Sequence, residues 1–167
     1  FTLGDLVGGR ALGWHLATGL SLWLAFWSSW LLACRYTSSE RVAWVVAVLV
    51  TAFPYRWHNL MSGSPTGLGM AWTPLRMWGL DRASRDGSWR GGLWAGLAMV
   101  GSAWAEKHVM FFNALLIPAW SLLVLIGERP WRRGQLLPVA RRALATLPAA
   151  GGLLLAYLYA NLYTRHL

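Results

Sequence analysis

The sequence predicts an all-α membrane protein: a single polytopic bundle, residues 1–167, with about six transmembrane segments. Hydrophobic residues make up 56% of the chain and charged residues only 13%. Long apolar stretches recur along its whole length, more than a soluble domain of this size can bury. The 13 tryptophans are many for a soluble chain. Several stand near the ends of apolar stretches, where tryptophan favours the headgroup region: Trp14, Trp57, Trp89 and Trp131.

Three predicted segments lie in the first half of the chain. Ala11–Cys34 would form a helix about 36 Å long, enough to cross a hydrocarbon core of about 30 Å. Val42–Tyr55 is apolar but short, so it needs Ser38–Arg41 as a first turn whose arginine snorkels to the interface. Pro65–Leu80 is less apolar and contains Arg76. It either crosses the bilayer or lies in its surface, because Pro and a single Arg are tolerated at membrane depth only against neighbouring helices or water.

The other three segments include a tight hairpin. Gly91–Ala105 and His108–Ile126 are separated by two residues, which permits only antiparallel neighbouring helices. Gly92 and Gly96 stand four apart on the first arm, a small-residue spacing that lets another helix approach closely. The last segment is Ala143–Tyr163. Pro148 predicts a kink in it, and the small residues Gly151–Gly152 predict a position where another helix can approach closely.

Basic residues in the connections predict the orientation, because the side richer in Lys and Arg is cytoplasmic. If all six segments cross, ten basic residues share one side and four the other; if 65–80 does not cross, the division is eleven to four. Both arrangements place 81–90 and 127–142 in the cytoplasm and Glu106–Lys107 outside. They disagree about the side of Phe53–Asn59, and only the six-segment arrangement puts this stretch outside.

The charge and the cysteine content exclude some classes of partner and of site. The formal charge of +9 would suggest nucleic acid in a soluble protein. Here the arginines lie between apolar segments, where cytoplasmic retention and anionic headgroups explain them, so the predicted partners are membrane lipids and no nucleic acid. Cys34 is a single cysteine and provides neither a disulfide framework nor a thiolate metal site. The chain begins without Met or a signal peptide, which predicts a fragment of a longer protein.

Candidate site residues gather at the non-cytoplasmic mouth of the six-segment arrangement. The predicted catalytic carboxylates are Asp5 and Glu106, because a carboxylate at such a surface can activate a hydroxyl or bind a metal. The predicted substrate-binding residues can neutralise a phosphate group: Arg56, His58, Lys107 and His108. Alternatively, these cations are interfacial residues that meet water at helix ends. The sequence contains no metal-ligand spacing, nucleophile motif or phosphate loop and identifies no cofactor.

Three short motifs, together with the loop RYTSSER, carry a resemblance to a known family. Phe53–Arg56 ends an apolar segment, Trp72–Leu75 begins the next, and Arg90–Leu97 follows with small and basic residues. Over residues 14–126 this order resembles the bacterial polytopic glycosyltransferases of the C type, the GT-C superfamily.

The resemblance implies a membrane enzyme of the bacterial inner membrane. It would transfer a sugar from a lipid-linked donor, such as a polyprenyl phosphate, at the non-cytoplasmic face. Family members place a catalytic acid in the first outer loop, where this chain offers Asp5; that acid alternatively lies upstream of Phe1. Gly63–Ser64 stands where relatives often carry Gly-His. The alternative function is a non-catalytic membrane subunit or a transporter-like protein. A transporter would normally show intramembrane charges, and here Arg76 is the exception.

Overall fold

A computed structural model describes residues 2–128 and 136–164. Both ranges are helical with short connections and contain no strand, which confirms the all-α class. The helices are α1 Thr2–Ala33, α2 Glu40–Thr51, α3 Pro54–Met61, α4 Pro65–Gly69, α5 Trp72–Asp86, α6 Trp89–Ala105, α7 Lys107–Glu128 and α8 Leu136–Thr164. Trp131, Arg165 and three of the counted arginines, at 129, 132 and 133, lie outside the described residues.

Proline decides where α2 ends. The predicted segment Val42–Tyr55 stops at Thr51, because the residue before a proline is pushed out of the helical region and Phe53 precedes Pro54. Pro54 then occupies the first position of α3, where its missing N–H costs no hydrogen bond. The stretch FPYRWHN is therefore the start of a separate short helix and not the end of α2.

The prediction that Pro65–Leu80 is one segment is wrong. The chain forms the five-residue α4, turns at Met70–Ala71 and then forms α5, which continues six residues beyond Leu80 to Asp86. It ends at Gly87, whose φ of 63° is the left-handed conformation that glycine adopts easily at a helix end. Ser88 caps α6 by accepting a hydrogen bond from the Gly91 N–H.

Helix α6 is the centre of the bundle. Gly79 of α5 lies against Gly91 and Ala95. Arg76, earlier on α5, contacts Met99, later on α6, so α5 runs antiparallel to α6. Two core clusters contain residues of α6, α7 and α8. Along them α7 advances from Met110 to Trp120 while α6 runs back from Ala103 to Ala95, which is the antiparallel hairpin that the sequence predicts.

Glycines bring α6 and α8 into backbone contact. A Cβ on Gly92 would overlap the carbonyl oxygen of Ala145, and a Cβ on Gly96 would lie 2.5 Å from the carbonyl oxygen of Pro148. From the other side, a Cβ on Gly152 would overlap the backbone of Gly96. The prediction that Gly92 and Gly96 admit a close helix is confirmed, and α8, parallel to α6, is that helix.

One end of the bundle collects the basic connections, and we call it the basic end. Arg35, just after α1, forms ion pairs with Asp81 and Asp86 of α5. Gly87 lies against the side chain of Arg141 on α8. These contacts agree with the six-segment arrangement, which places Arg35, 81–90 and 127–142 on one side. They do not agree with the arrangement in which 65–80 does not cross, because it places Arg35 on the other side. Helices α3 and α4 and the α6–α7 junction lie toward the opposite end.

Three described helical stretches are long and apolar enough to cross a membrane: Gly9–Ala33, Lys107–Val124 and Ala140–Leu162. Helices α2, α5 and α6 have 12, 15 and 17 residues. They extend about 18–26 Å, short of a hydrocarbon core of about 30 Å, and the six crossings stay a prediction. Large apolar side chains cover the outside of the long helices, as a lipid-facing surface requires; examples are Leu20, Trp23, Leu122, Leu123, Leu154 and Leu155.

Candidate functional site

Arg56 turns into the protein from the first turn of α3. Its side chain is buried, with 2% of the residue exposed. Nη2 donates to the carbonyl oxygen of Ser21 at 2.7 Å and to its Oγ at 3.2 Å, and Nε donates to the carbonyl oxygen of Gly67 at 3.3 Å. Arg56 therefore ties α3 to α1 and α4 through neutral acceptors and does not stand at an open surface.

The other predicted site residues lie on the surface or at its edge. His58 is exposed on α3, and Lys107 and His108 are exposed at the start of α7. His108 Nδ1 lies 3.1 Å from Glu106 Oε1. Asp5 belongs to α1, but its side chain lies outside the described part of the structure. The described contacts thus bring Glu106 and His108 together, whereas Arg56 is bonded to α1 and α4 and contacts neither of them.

An apolar cavity of about 450 Å³ lies beside Arg56. Helix α1 forms one wall, and α4, the start of α5 and the end of α6 form the other. Trp23 and Trp104 line it and are 60% and 73% exposed, so the cavity opens to the outer surface of the bundle between α1 and α6. The lining residues are Ala17, Leu20, Ser21, Trp23, Leu24, Pro65, Leu68, Ala71, Trp72, Gly101, Trp104 and Ala105. We call it the tryptophan cavity.

Two sequence-predicted residues adjoin the tryptophan cavity. Arg56 bonds to Ser21, which lines one wall, and to Gly67, the neighbour of Leu68 on the other wall. It is therefore a positioning residue that fixes the two walls relative to each other. Glu106 follows the lining residue Ala105, and its Oε2 is buried without a hydrogen-bond partner in the described structure. Glu106 thus follows a lining residue in sequence and has a carboxylate oxygen with spare acceptor capacity.

At the basic end, Asp81 is the centre of an ion network that is absent from the predictions made from the sequence. Its side chain is 1% exposed. Oδ2 accepts from Arg35 Nε at 2.6 Å, and Oδ1 accepts from the Tyr36 hydroxyl and from Arg85 Nε, each at 2.7 Å. Arg35 also makes two hydrogen bonds to Asp86, at 2.8 and 2.9 Å. The network joins the α1–α2 connection to α5.

The network shifts the pKa values of its members. Burial of Asp81 opposes its ionisation, but the hydrogen bonds from Tyr36, Arg35 and Arg85 outweigh burial and hold the pKa of Asp81 below its ordinary value. Burial, followed by the hydrogen bond to the Asp81 carboxylate, raises the pKa of Tyr36 to about 12. The hydrogen bond to Asp86 is the main cause that raises the pKa of Arg35. Asp81 is thus ionised and Tyr36 protonated at neutral pH.

A sequence signal for this network exists in the segment DRASRD. Asp81 and Arg85 stand four residues apart, as do Arg82 and Asp86, which is the spacing of ion pairs on one helix face. The sequence predicts Pro65–Leu80 as the whole segment, which makes 81–86 part of a connection. Extending the helix to Gly87 would have indicated the intrahelical pair, although not the contact with Arg35.

Comparisons with known proteins do not assign this chain to a family. No family model matches the sequence, and neither a curated protein nor a solved structure matches it. Among the described residues, no group of three or more His, Cys, Asp or Glu side chains is placed to hold a metal ion. The features that define a candidate site are therefore the tryptophan cavity, its adjoining residues and the buried polar side chains of the bundle.

Proposed function

We propose that this chain is a membrane part of a glycosyltransferase resembling the GT-C superfamily, in the bacterial inner membrane. It transfers a sugar from a polyprenyl-phosphate donor at the non-cytoplasmic face. The tryptophan cavity is the observation that carries the proposal. A predominantly apolar cavity of about 450 Å³ that opens sideways from the bundle suits a flexible hydrocarbon chain entering from the bilayer.

The position of the cavity supports the same function. It lies toward the end of the bundle opposite the basic end, and the basic end is the cytoplasmic side by the charge rule. Its walls include Trp72 from one of the motifs that resemble the family. Arg56, from a second motif, fixes Ser21 and Gly67 next to those walls. The motif residues thus shape the place where the prenyl chain binds.

Glu106 is the proposed general base. In the transfer, the acceptor hydroxyl oxygen forms a bond with the anomeric carbon, the bond from that carbon to the donor phosphate breaks, and Glu106 Oε2 takes the hydroxyl proton. Oε2 has no hydrogen-bond partner among the described residues, whereas Oε1 lies 3.1 Å from His108 Nδ1. This division leaves one oxygen to accept a proton and lets His108 orient the carboxylate.

A sugar-transfer assay tests the proposal. The purified protein in liposomes is given a panel of polyprenyl-phosphate sugars, and transfer to an acceptor is measured for the wild type, Glu106→Gln and Glu40→Gln. Loss of a positioned general base should slow transfer about 100-fold or more. Glu40→Gln removes an exposed carboxylate at the start of α2 and should leave the rate unchanged.

Two outcomes decide against this assignment. Equal rates for Glu106→Gln and Glu40→Gln would remove Glu106 from the reaction. A wild type that binds the donor lipid but transfers no sugar from the panel would favour the second function class, a non-catalytic membrane subunit that holds a lipid for a partner enzyme.

A further inference from the structure

Arg76 is a buried cation with most of its hydrogen-bonding capacity unused. The residue is 0% exposed and lies on α5, facing α6. Its one described partner is the Met99 sulfur, 3.5 Å from Nη1, and a thioether is a weak acceptor. Nε and Nη2 are buried and have no hydrogen-bond partner among the residues that the structure describes. An unpaired ion in an apolar interior is strongly unfavourable, so this guanidinium requires an acceptor.

The unused edge of Arg76 has a specific shape. Nε and Nη2 lie on the same side of the planar guanidinium group, with parallel N–H bonds. This edge binds the two oxygens of a carboxylate or phosphate as a bidentate pair. Met99 occupies the other side through Nη1. The free edge is therefore the part of the side chain that is best suited to an oxyanion.

Asn113 on α7 provides a second unused donor in the same region. It is 1% exposed, and its Nδ2 has no hydrogen-bond partner within the described ranges. Met110, three residues before Asn113, and Ala114, the residue after it, pack against the core cluster that contains Met99, the partner of Arg76. One turn earlier, Val109 lies against Gly69 at the other end of the turn that leads into α5. Arg76 on α5 and Asn113 on α7 therefore both lie near the level of Met99 in the bundle, and we call this level the layer.

The carboxylates whose side chains the structure describes do not neutralise Arg76. Asp81 and Asp86 pair with arginines of the basic end, and Glu106 pairs with His108. Glu40 is exposed at the start of α2. The layer therefore combines a permanent positive charge and an amide donor without an anionic acceptor from these side chains.

We propose that Arg76 and Asn113 form a buried oxyanion site, which binds a phosphate group through the Nε–Nη2 edge of Arg76 and Nδ2 of Asn113. The phosphate belongs either to a lipid or to free inorganic phosphate. Trp72, which lies one turn before Arg76 on α5, lines the tryptophan cavity. This inference is independent of glycosyl transfer, because it is argued from the buried donors of Arg76 and Asn113.

Thermal unfolding of the full protein in an uncharged detergent tests the site. The melting temperature is measured against three additions: inorganic phosphate, dihexanoyl phosphatidate and dihexanoylglycerol as the uncharged analogue. Since a ligand that binds only the folded state raises its stability, we expect the wild type to respond to at least one phosphate compound and not to dihexanoylglycerol. Response to phosphatidate alone would identify a lipid, and response to inorganic phosphate would identify a free anion.

Three variants make the assignment specific. Arg76→Lys keeps the charge but loses the bidentate edge, and should bind the responding compound at least about tenfold more weakly. Asn113→Asp places a carboxylate in the layer; it should melt higher than the wild type without ligand and respond to neither phosphate compound. Arg41→Lys makes the same change at an exposed position and should respond like the wild type.

Two results would overturn the proposed site. In the first, the melting temperature of the wild type responds to neither phosphate compound. In the second, Arg76→Lys and the wild type respond equally. A phosphate response that persists in Asn113→Asp, without a higher melting temperature, would show that Asn113 does not face Arg76. None of these measurements involves sugar transfer, so the oxyanion site and the glycosyltransferase proposal fail separately.

Discussion

Asp81→Ala should destabilise the protein by about 2–4 kcal/mol, because it removes a buried carboxylate that accepts hydrogen bonds from Arg35, Arg85 and the Tyr36 hydroxyl. Removing one partner of a fully buried ion pair costs about 3–5 kcal/mol. The expected value is lower here because the side chains of Arg35 and Arg85 are 26% and 37% exposed and can turn partly to water.

Asp86→Ala is the matched control for Asp81→Ala. Both aspartates lie on α5 and both pair with Arg35, but the Asp86 side chain is 42% exposed. An exposed pair contributes about 0–1 kcal/mol. Thermal unfolding in detergent micelles should therefore separate the two variants clearly, and equal effects would contradict the view that burial makes the Asp81 network structural.

The same network predicts a pH dependence. The folded pKa of Asp81 is lower than its unfolded value of about 4, so its contribution is fully present above that pH. It is lost as the pH falls from about 5 toward the folded pKa. The difference in unfolding free energy between the wild type and Asp81→Asn should thus be constant near neutrality and shrink in acid. A difference that grew as the pH fell would have the wrong sign.

Gly152→Ala should be the second strongly destabilising change. The added methyl group would overlap the backbone of Gly96, and no rotation of a side chain can relieve a contact between two backbones. Helices α6 and α8 must then separate along the interface that buries Ala95, Met99 and Ala156. Overpacking typically costs about 1–3 kcal/mol, and a backbone clash belongs at the upper end.

Gly151→Ala tests this explanation with the same chemical change one residue earlier. A Cβ at Gly151 meets no atom within 4 Å. Alanine favours a helix over glycine by up to about 1 kcal/mol, so Gly151→Ala should be neutral or mildly stabilising. Equal losses of melting temperature in the two variants would show that helix propensity, and not the α6–α8 contact, decides the outcome.

Local rules in the sequence predicted a large part of the fold. Two residues between apolar segments required the α6–α7 hairpin, and the four-residue spacing of Gly92 and Gly96 indicated a close helix. The same kind of rule, applied to Pro54, would have divided FPYRWHN from α2. The apolar run continues to Tyr55 and therefore favours a helix end there, although the residue before a proline rarely stays helical.

The site was harder to predict because it depends on tertiary contacts. Arg56 was expected to face lipid phosphate, but an eight-residue helix can turn its arginine either way, and only the position of Ser21 on α1 decides it. Arg76 stood out in the sequence as an intramembrane charge. That no described carboxylate pairs with it could not be predicted, since pairing depends on which residues of α6 and α7 lie opposite.

Photo-crosslinking of a polyprenyl phosphate probe tests the central claim, that the tryptophan cavity binds a lipid-linked donor. The probe carries a photoreactive group in its prenyl chain, and labelled peptides are identified by mass spectrometry. Labels should concentrate on 17–24 and 101–105, the cavity-lining parts of α1 and α6. Ala17→Phe fills the cavity and should reduce labelling about tenfold, whereas Ala11→Phe, at an exposed position of α1, should not. Labelling spread over the exposed leucines of α7 and α8, unchanged by Ala17→Phe, would contradict the account.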